Sequence, residues 1–393
     1  MLRHAISILS IPLLLLCATG CVKSQPPDSP GTPAGKAKPT PKSDNIDRLG
    51  QVAGQNRDTL LIEFPEARKL GFTVVWEATL TVPRGGWIRL FVLDDLVVVL
   101  QRPANTATIL SLKTGNPIWN KQVGGKLDRV ISAGRNKKHI LINTQDKLKI
   151  YQADSGNLVT TQRLAQRVDT APVIVGDKAV FGGINGLVFA HNVRDGAVDW
   201  KYQMQGEIHQ NPISGGANRV FVATKNGEYA MFSIDRARPL WKGRLFGKIS
   251  AQPVSSELGV FVACEDHNIY SLNLANGVAG IGWPFRTTQA LKTDPVLIDN
   301  FLFQMIPGRG LTAIDVTKDK TLWIRGMTAK PTVAIKHGIL FNDKTRLIVI
   351  EPNTGRRRNE ASTLEIQDIH KASKGTLILL SPTGRVLRMD PVK

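Results

Sequence analysis

The chain is poor in cysteine and acidic residues and has no long apolar run, and each shortage excludes something. Three cysteines, Cys17, Cys21 and Cys264, stand in 393 residues. Two of them fall at the end of an apolar leader, so no disulfide framework can form within a mature chain. Cys264 closes the apolar run Val260–Cys264 and is expected as a buried strand residue behaving as a small hydrophobe. The apolar stretch Ala5–Leu16 is too short to span a bilayer, which takes about 20 residues. No Gly-x-Ser-x-Gly elbow occurs, and no glycine-rich phosphate loop followed by Lys-Ser/Thr. Gly308-Arg309-Gly310 reads as a turn. His139, His191, His209, His267, His337 and His370 are scattered, without metal-ligand spacing to Cys, Asp or Glu. The pairs Asp94-Asp95 and Glu265-Asp266 fall in turns, where solvated faces are expected.

What remains is ordinary globular material, 42% hydrophobic and 21% charged, with 35 glycines and 22 prolines. So many breakers suit short strands joined by tight turns rather than a helical bundle. Lys and Arg number 51 against 32 Asp and Glu, a net charge of +19. That excess would point to nucleic acid in the cytoplasm. Met1-Leu-Arg-His4 followed by the short apolar stretch instead has the layout of a secretory signal. This leaves lipid head groups, acidic envelope polymers and acidic protein surfaces as anionic partners, and no nucleic acid.

Ala18-Thr-Gly-Cys21 resembles the lipobox of bacterial lipoproteins. The resemblance implies cleavage before Cys21 and acylation there, with two or more chains giving stable anchoring. Val22 after the cysteine, by analogy with Gram-negative sorting, implies the outer membrane. Residues 1–20 are thus expected as a signal peptide. Residues 21–45, rich in proline and lysine, are expected as an extended tether. Residues 46–71 form an N-terminal extension with a short amphipathic segment around Leu60–Leu70. The remaining 72–393 make one repeat domain.

Three markers recur there at about 40 residues, the period of a four-stranded propeller blade. A tryptophan follows a turn glycine or its substitute by four residues: Trp119 after Gly115, Trp200 after Gly196, Trp241 after Ala237, Trp323 after Asp319. Thr160, Asn359 and a shifted Trp283 are weaker copies. Hairpin turns recur at Asn185-Gly186, Asn226-Gly227, Asp266-His267, Arg309-Gly310 and Thr383-Gly384. A proline opens a first strand at Pro172, Pro212, Pro253 and Pro295. The last repeat stops one strand short, while Phe72–Trp76 reads as an outermost strand without a blade. Donating it to the last repeat closes the ring and removes an exposed edge. Counting positions 76, 119, 160, 200, 241, 283, 323 and 359 predicts an all-β, eight-bladed β-propeller of four-stranded blades, closed by an N-terminal strand. Seven blades follow only if a weak copy is irregular. The tryptophans are expected at the seams between blades.

The run Ala-Pro-Val, an Asn-Gly hairpin, then Asp/Thr-Gly and Trp resembles the pyrroloquinoline-quinone-type propeller repeats, over roughly 72–393 and most clearly 110–323. Such repeats occur in quinone-dependent dehydrogenases and in the propeller lipoprotein of the outer-membrane β-barrel assembly machine. Chain length, lipobox and blade count are similar to the second. That resemblance implies a non-catalytic scaffold without cofactor, lipid-anchored at the outer membrane and facing the periplasm. Its expected partners are envelope proteins, in outer-membrane protein assembly, with the chain a monomer or part of a hetero-complex. The first kind carries an adjacent cysteine pair and a carboxylate metal site, which this sequence lacks. An exported quinone-dependent oxidoreductase and a glycan- or ligand-sensing propeller stand as alternatives. Candidate contact residues are the basic clusters Arg356, Arg357 and Arg358, after Thr354-Gly355, and Arg135, Lys137 and Lys138, at a hairpin turn. Such clusters suit an acidic partner or membrane surface, or a charged edge that blocks sheet-to-sheet association. His209 and His370 stand near the starts of innermost strands, where they would face the central channel.

Overall fold

Turn glycines punctuate the chain so regularly that each run of apolar residues folds back on the last. In Val173–Val175, Lys178–Gly182, Leu187–Asn192 and Val198–Gln203 the strands pair in that order, all antiparallel. Gly186 makes the tight turn between the second and third strands at φ 90°, open to glycine at no steric cost. The second strand is buried on both faces, whereas the fourth alternates, with Trp200 its buried residue. A sheet covered on both sides at its middle and on one side at its edge must stack against neighbours. The computed structural model describes residues 46–48, 59–83, 85–280 and 282–392. The leader, Cys21 and the tether lie outside them.

Eight such sheets occur in chain order. Blades I to VII begin at Trp87, Val130, Val173, Ile213, Val254, Val296 and Lys330. Blade VIII is built from Asp368–Lys371, Leu377–Leu380 and Arg385–Pro391, with Phe72–Leu80 as its fourth strand. The early strand pairs antiparallel with the last, Trp76 opposite Arg388 and Val74 opposite Met389. First strands of neighbouring blades adjoin around the axis, blade VIII meeting blade I. The fold is therefore an eight-bladed β-propeller closed by its N-terminal strand, as the repeat predicts. Ile46–Arg48 adds a fifth strand outside it, Asp47 opposite Thr79. The core is divided into eight clusters lying at the seams. Val180 and Val188 of blade III meet Val220 and Phe232 of blade IV, and Ile378 and Val386 of blade VIII meet Leu90 and Val97 of blade I.

The tryptophan marker has a specific job at these seams. The indole N–H of Trp76 donates to the Leu112 carbonyl of the next blade (3.0 Å), Trp119 to Ala153 (3.0 Å), Trp200 to Ile234 (2.7 Å), Trp241 to Leu274 (3.0 Å) and Trp323 to Pro352 (2.7 Å). For Trp76, Trp119, Trp241 and Trp323 the ring lies on that blade's turn glycine, while Trp200 packs with Ala237, which stands in for it. A Cβ at Gly115 would come 2.6 Å from Trp76, and one at Gly156 2.6 Å from Trp119. Gly-x-x-x-Trp is thus two half-locks: its glycine receives the previous blade's indole and its tryptophan reaches the next.

Where tryptophan is missing, other groups take its place. Blade II carries Thr160, and Gln162 donates instead to the Val193 carbonyl (2.8 Å) while its Oε1 meets His191 Nε2 (2.8 Å). Burial holds His191 below the usual imidazole range. Blade VII carries Asn359, which donates to the Lys69 carbonyl (2.8 Å) of a helix, Phe64–Lys69. Residues 59–71, given no role by the sequence, pack along the seam between blades VII and VIII. Leu61, Ile62, Ala67 and Leu70 enter its core. Ser362 N–H donates to Glu66 and Leu364 N–H to the Leu61 carbonyl, each at 2.8 Å. The shifted Trp283 of blade V donates to Asp319 Oδ1 (2.6 Å), a side chain in place of a carbonyl.

Gly156→Ala is expected to cost about 2–4 kcal/mol, from Cβ strain at φ 63° and the collision with Trp119. Gly176→Ala, at φ 57° with nothing within 4 Å, carries only the backbone part, about 1–2 kcal/mol. Urea unfolding midpoints of the two variants measure the difference; equal losses would remove the indole contact from the account.

Candidate interaction rim

Antiparallel order fixes which loops share a rim. Turns between first and second strands, and between third and fourth, lie on one face of the ring, here the turn rim. Hairpins between second and third strands, and the links from one blade to the next, lie on the other, the loop rim. The two rims use their polar groups differently.

The basic clusters singled out from the sequence stand at the turn rim. Arg135 is mostly covered: it forms ion pairs with Asp94 (3.6 Å) and Asp95 and donates to the Leu93 carbonyl (3.2 Å). It ties blade II to blade I. Lys137, at φ 52°, lies 3.6 Å from Asp177 of blade III. Arg357 pairs with Glu360 and Arg358 with Glu351 (2.7 Å). Arg356 and Lys138 are exposed. The two clusters sit on blades VII and II and do not meet. Cys21 is outside the described residues.

At the loop rim the links between blades are tied down one to the next. Asn211 Oδ1 accepts the Ala171 N–H (2.7 Å), Gln252 Oε1 the Asn211 N–H (2.8 Å) and Asp294 Oδ1 the Gln252 N–H (2.8 Å). These residues directly precede the marker prolines. The residue before proline is held extended, and its N–H is met by the next blade's side chain. The proline marker is thus part of a ladder joining blades III to VI around the channel mouth. His209 bonds Glu207 (2.9 Å) and His370 bonds Asp368 (3.0 Å). Glu207 also faces Lys225 at 3.8 Å, and the bond from His209 leads in pulling its carboxyl below the usual range.

Between blades IV and V the same rim presents Phe246, which is 100% exposed. Its loop is not loose. Leu245 N–H donates to the Gly227 carbonyl (2.9 Å), Ile249 N–H to Lys225 (3.1 Å) and Glu265 N–H to Lys248 (2.9 Å). A Cβ at Gly247 would come 2.4 Å from the Asp266 nitrogen, so only glycine lets the loop sit this close to the neighbouring hairpin. A rigid loop holding a phenyl ring wholly in water forgoes the roughly 1.5–3 kcal/mol that its burial would yield, which makes Phe246 this rim's candidate contact residue. The sequence reading missed it. Repeat alignment offers a signal, since Phe246-Gly247 occupies the place of Gln205-Gly206 one blade earlier.

Strongly perturbed groups are buried or locked in turns. Burial pushes the Cys264 thiol up to about 12. Asp315 is held at about 2, burial being outweighed by bonds from Thr317 and Lys318. Among the described residues no three His, Cys, Asp or Glu side chains gather as a metal-binding group, and no helix is long and apolar enough to cross a membrane. The rim offers surface for contact.

The family model described as outer membrane protein assembly factor BamB matches residues 103–217 and 207–377. The protein of that name from Escherichia coli (strain K12) is 23% identical over 177 residues, 42% of this chain. The chain spans 44% of the length of that relative. The protein of the same name from Moranella endobia (strain PCIT) is 18% identical over 297 residues, 67% of this chain and 75% of its own. Among solved structures, BamB from Moraxella catarrhalis superposes with a TM-score of 0.64 at 16% identity, over 81% of this chain and 99% of its own. That likeness speaks for the fold.

Cys264, fully buried with its thiol at about 12, is expected to resist iodoacetamide at pH 8 in the folded protein and to alkylate at an ordinary rate in urea, since the thiolate is the reactive form. Mass spectrometry of tryptic peptides reads the outcome. Rapid labelling under native conditions would contradict the buried seat.

Proposed function

Because the chain belongs to the outer membrane protein assembly factor BamB family, we propose that it is a non-catalytic propeller, held at the outer membrane by acylated Cys21, that brings envelope proteins together during outer-membrane protein assembly. The observation that carries the contact surface is Phe246: a fully exposed aromatic on a loop fixed by hydrogen bonds to both neighbouring blades. Aromatic anchors pre-set in their bound position lose little entropy when covered. The loop rim therefore docks the partner. The exposed cations of the turn rim, Arg356 and Lys138, steer acidic surfaces without fixing them. The tether of residues 21–45 gives the ring reach from the membrane.

A photo-crosslinking amino acid at Lys248, beside Phe246, is expected to trap a component of the outer-membrane assembly machinery in cells, identified by mass spectrometry. The same probe at Arg356 is expected to trap little of it. Phe246→Ser should lower the Lys248 adduct about tenfold while shifting stability by less than about 0.5 kcal/mol. Cys21→Ser should abolish palmitate incorporation and move the protein to the soluble fraction. Adducts that ignore Phe246 would refute the rim assignment, and a Cys21→Ser protein that still sediments with membranes would refute the anchor.

A further inference from the structure

A second site lies on the loop rim between blades I and II. The Arg102 guanidinium stacks on the Trp87 indole, its Cζ 3.8 Å from the ring centroid, with Arg89 above the same ring at 5.4 Å. Arg102 Nε is buried and has no hydrogen-bond partner. Burial, then the charges of Arg129 and Arg89, pull this guanidinium below its usual range. Arg102, Lys126 and Arg129 line a cavity of about 330 Å³ with Trp87 and one carboxylate, Asp128. That carboxylate is already engaged: it accepts the Gly125 N–H (2.8 Å) and faces Lys147 (3.3 Å) and Lys149 (3.5 Å). Among the described residues no carboxylate pairs with Arg102. Arg129 is paired outside the pocket with Asp169 (3.8 Å), so the cation left without a carboxylate of its own is Arg102.

The loop beside the pocket is fixed. Buried Asn105, at φ 51°, donates from Nδ2 to the carbonyls of Gly125 (2.8 Å) and Asp128 (2.7 Å), and its own carbonyl accepts the Val123 N–H (2.8 Å). A Cβ at Gly124 would meet Asn105 at 3.0 Å and Asp128 at 3.1 Å. What this loop presents is Leu127, 99% exposed, between Lys126 and Asp128.

We propose that this pocket binds a carboxylate side chain of an acidic peptide segment of a partner protein, with Leu127 covered by an apolar residue of the same segment. A planar guanidinium held flat on an indole offers its edge to a planar carboxylate with two parallel N–H donors. Phosphate would be drawn by the charge alone and would have no use for Leu127. The chain's net charge of +19 favours acidic segments in the first encounter. The pocket is separate from the Phe246 loop and binds such a segment whatever complex the ring serves.

The test is calorimetric titration of the detergent-solubilised mature protein with a short acetylated peptide alternating glutamate and leucine. Binding is expected to saturate and to weaken as salt rises from 0.05 to 0.5 M. Arg102→Gln should weaken it at least about tenfold. Arg102→Lys, which keeps the charge and loses the fork, and Leu127→Ser should each weaken it severalfold. Arg356→Gln, on the other rim, should leave it unchanged. If Arg102→Gln misfolds by circular dichroism, the exposed Lys126→Gln and Leu127→Ser decide. The proposal is overturned by no binding, by equal binding of the peptide with glutamine for glutamate, or by full binding to folded Arg102 variants. Displacement of the peptide by inorganic phosphate or dihexanoyl phosphatidylglycerol at equal or lower concentration would likewise replace it with a general oxyanion or lipid head-group site.

Discussion

Everything in this molecule rests on the pairing of Phe72–Leu80 with Arg385–Pro391. Bringing together chain segments some three hundred residues apart costs about 5 kcal/mol in loop-closure entropy. The strand recovers that by joining two seams at once. Phe72 and Val74 enter the cluster between blades VII and VIII, while Ala78 and Leu80 enter the one between blades VIII and I. Each large apolar side chain so buried contributes about 1.5–3 kcal/mol. Without it both seams would lose part of their core, and blade VIII would end in the raw edge of Arg385–Pro391. The closure is further locked by the buried Glu77, which binds Arg385 and the Leu61 N–H (3.0 Å), and by Arg385, which reaches the Thr59 carbonyl (2.7 Å). The extension and the closing strand form one device.

A closed ring of stacked sheets separates stability from recognition. The seams take up the apolar faces of every blade, so the loops at the rim contribute little to the core and are free to differ. Blade IV's link to blade V ends in Phe246, blade I's link to blade II in Leu127, and both are fixed by hydrogen bonds that the seams do not need. Neither leucine nor phenylalanine gains anything from its own fold in such a position. At the turn rim, Arg135, Arg357 and Arg358 hold neighbouring carboxylates, so much of the basic surface there works inward.

The architecture was legible in the sequence because each marker repeats a physical requirement. Gly115 and Gly156 recur because an indole lies on them; Pro172, Pro212 and Pro253 recur because the residue before each is held extended at the channel mouth. Legibility failed where a repeat position was filled by something chemically different. Thr160 hid the role of Gln162, and Asn359 hid the docking of the helix Phe64–Lys69, since a single amide does not announce a partner almost three hundred residues away. The contact surfaces were harder still. Runs of arginine are conspicuous in sequence, yet whether a cation is free or paired depends on which carboxylate the ring brings beside it. Arg135 meets Asp95 only because blades I and II are neighbours. Single exposed residues leave little trace: Phe246 stands out only against Gln205 at the same place one repeat earlier, and Leu127 not even so.

The same dependence on neighbours explains how a strongly basic chain can be selective. A positive excess spread over a surface attracts any anion and weakens with salt. In this ring many carboxylates are committed to cations of their own or an adjoining blade: Asp128 to Lys147 and Lys149, Glu207 to Lys225, Glu351 to Arg358. Discrimination then falls to the few cations left without a partner in a shaped setting. Arg102 is one, held against Trp87 with its Nε buried and unbonded. An unpaired, desolvated guanidinium gains more from a correctly placed carboxylate than an exposed lysine can, so the ring's excess charge brings acidic surfaces near and the packing at the rim decides which of them stay.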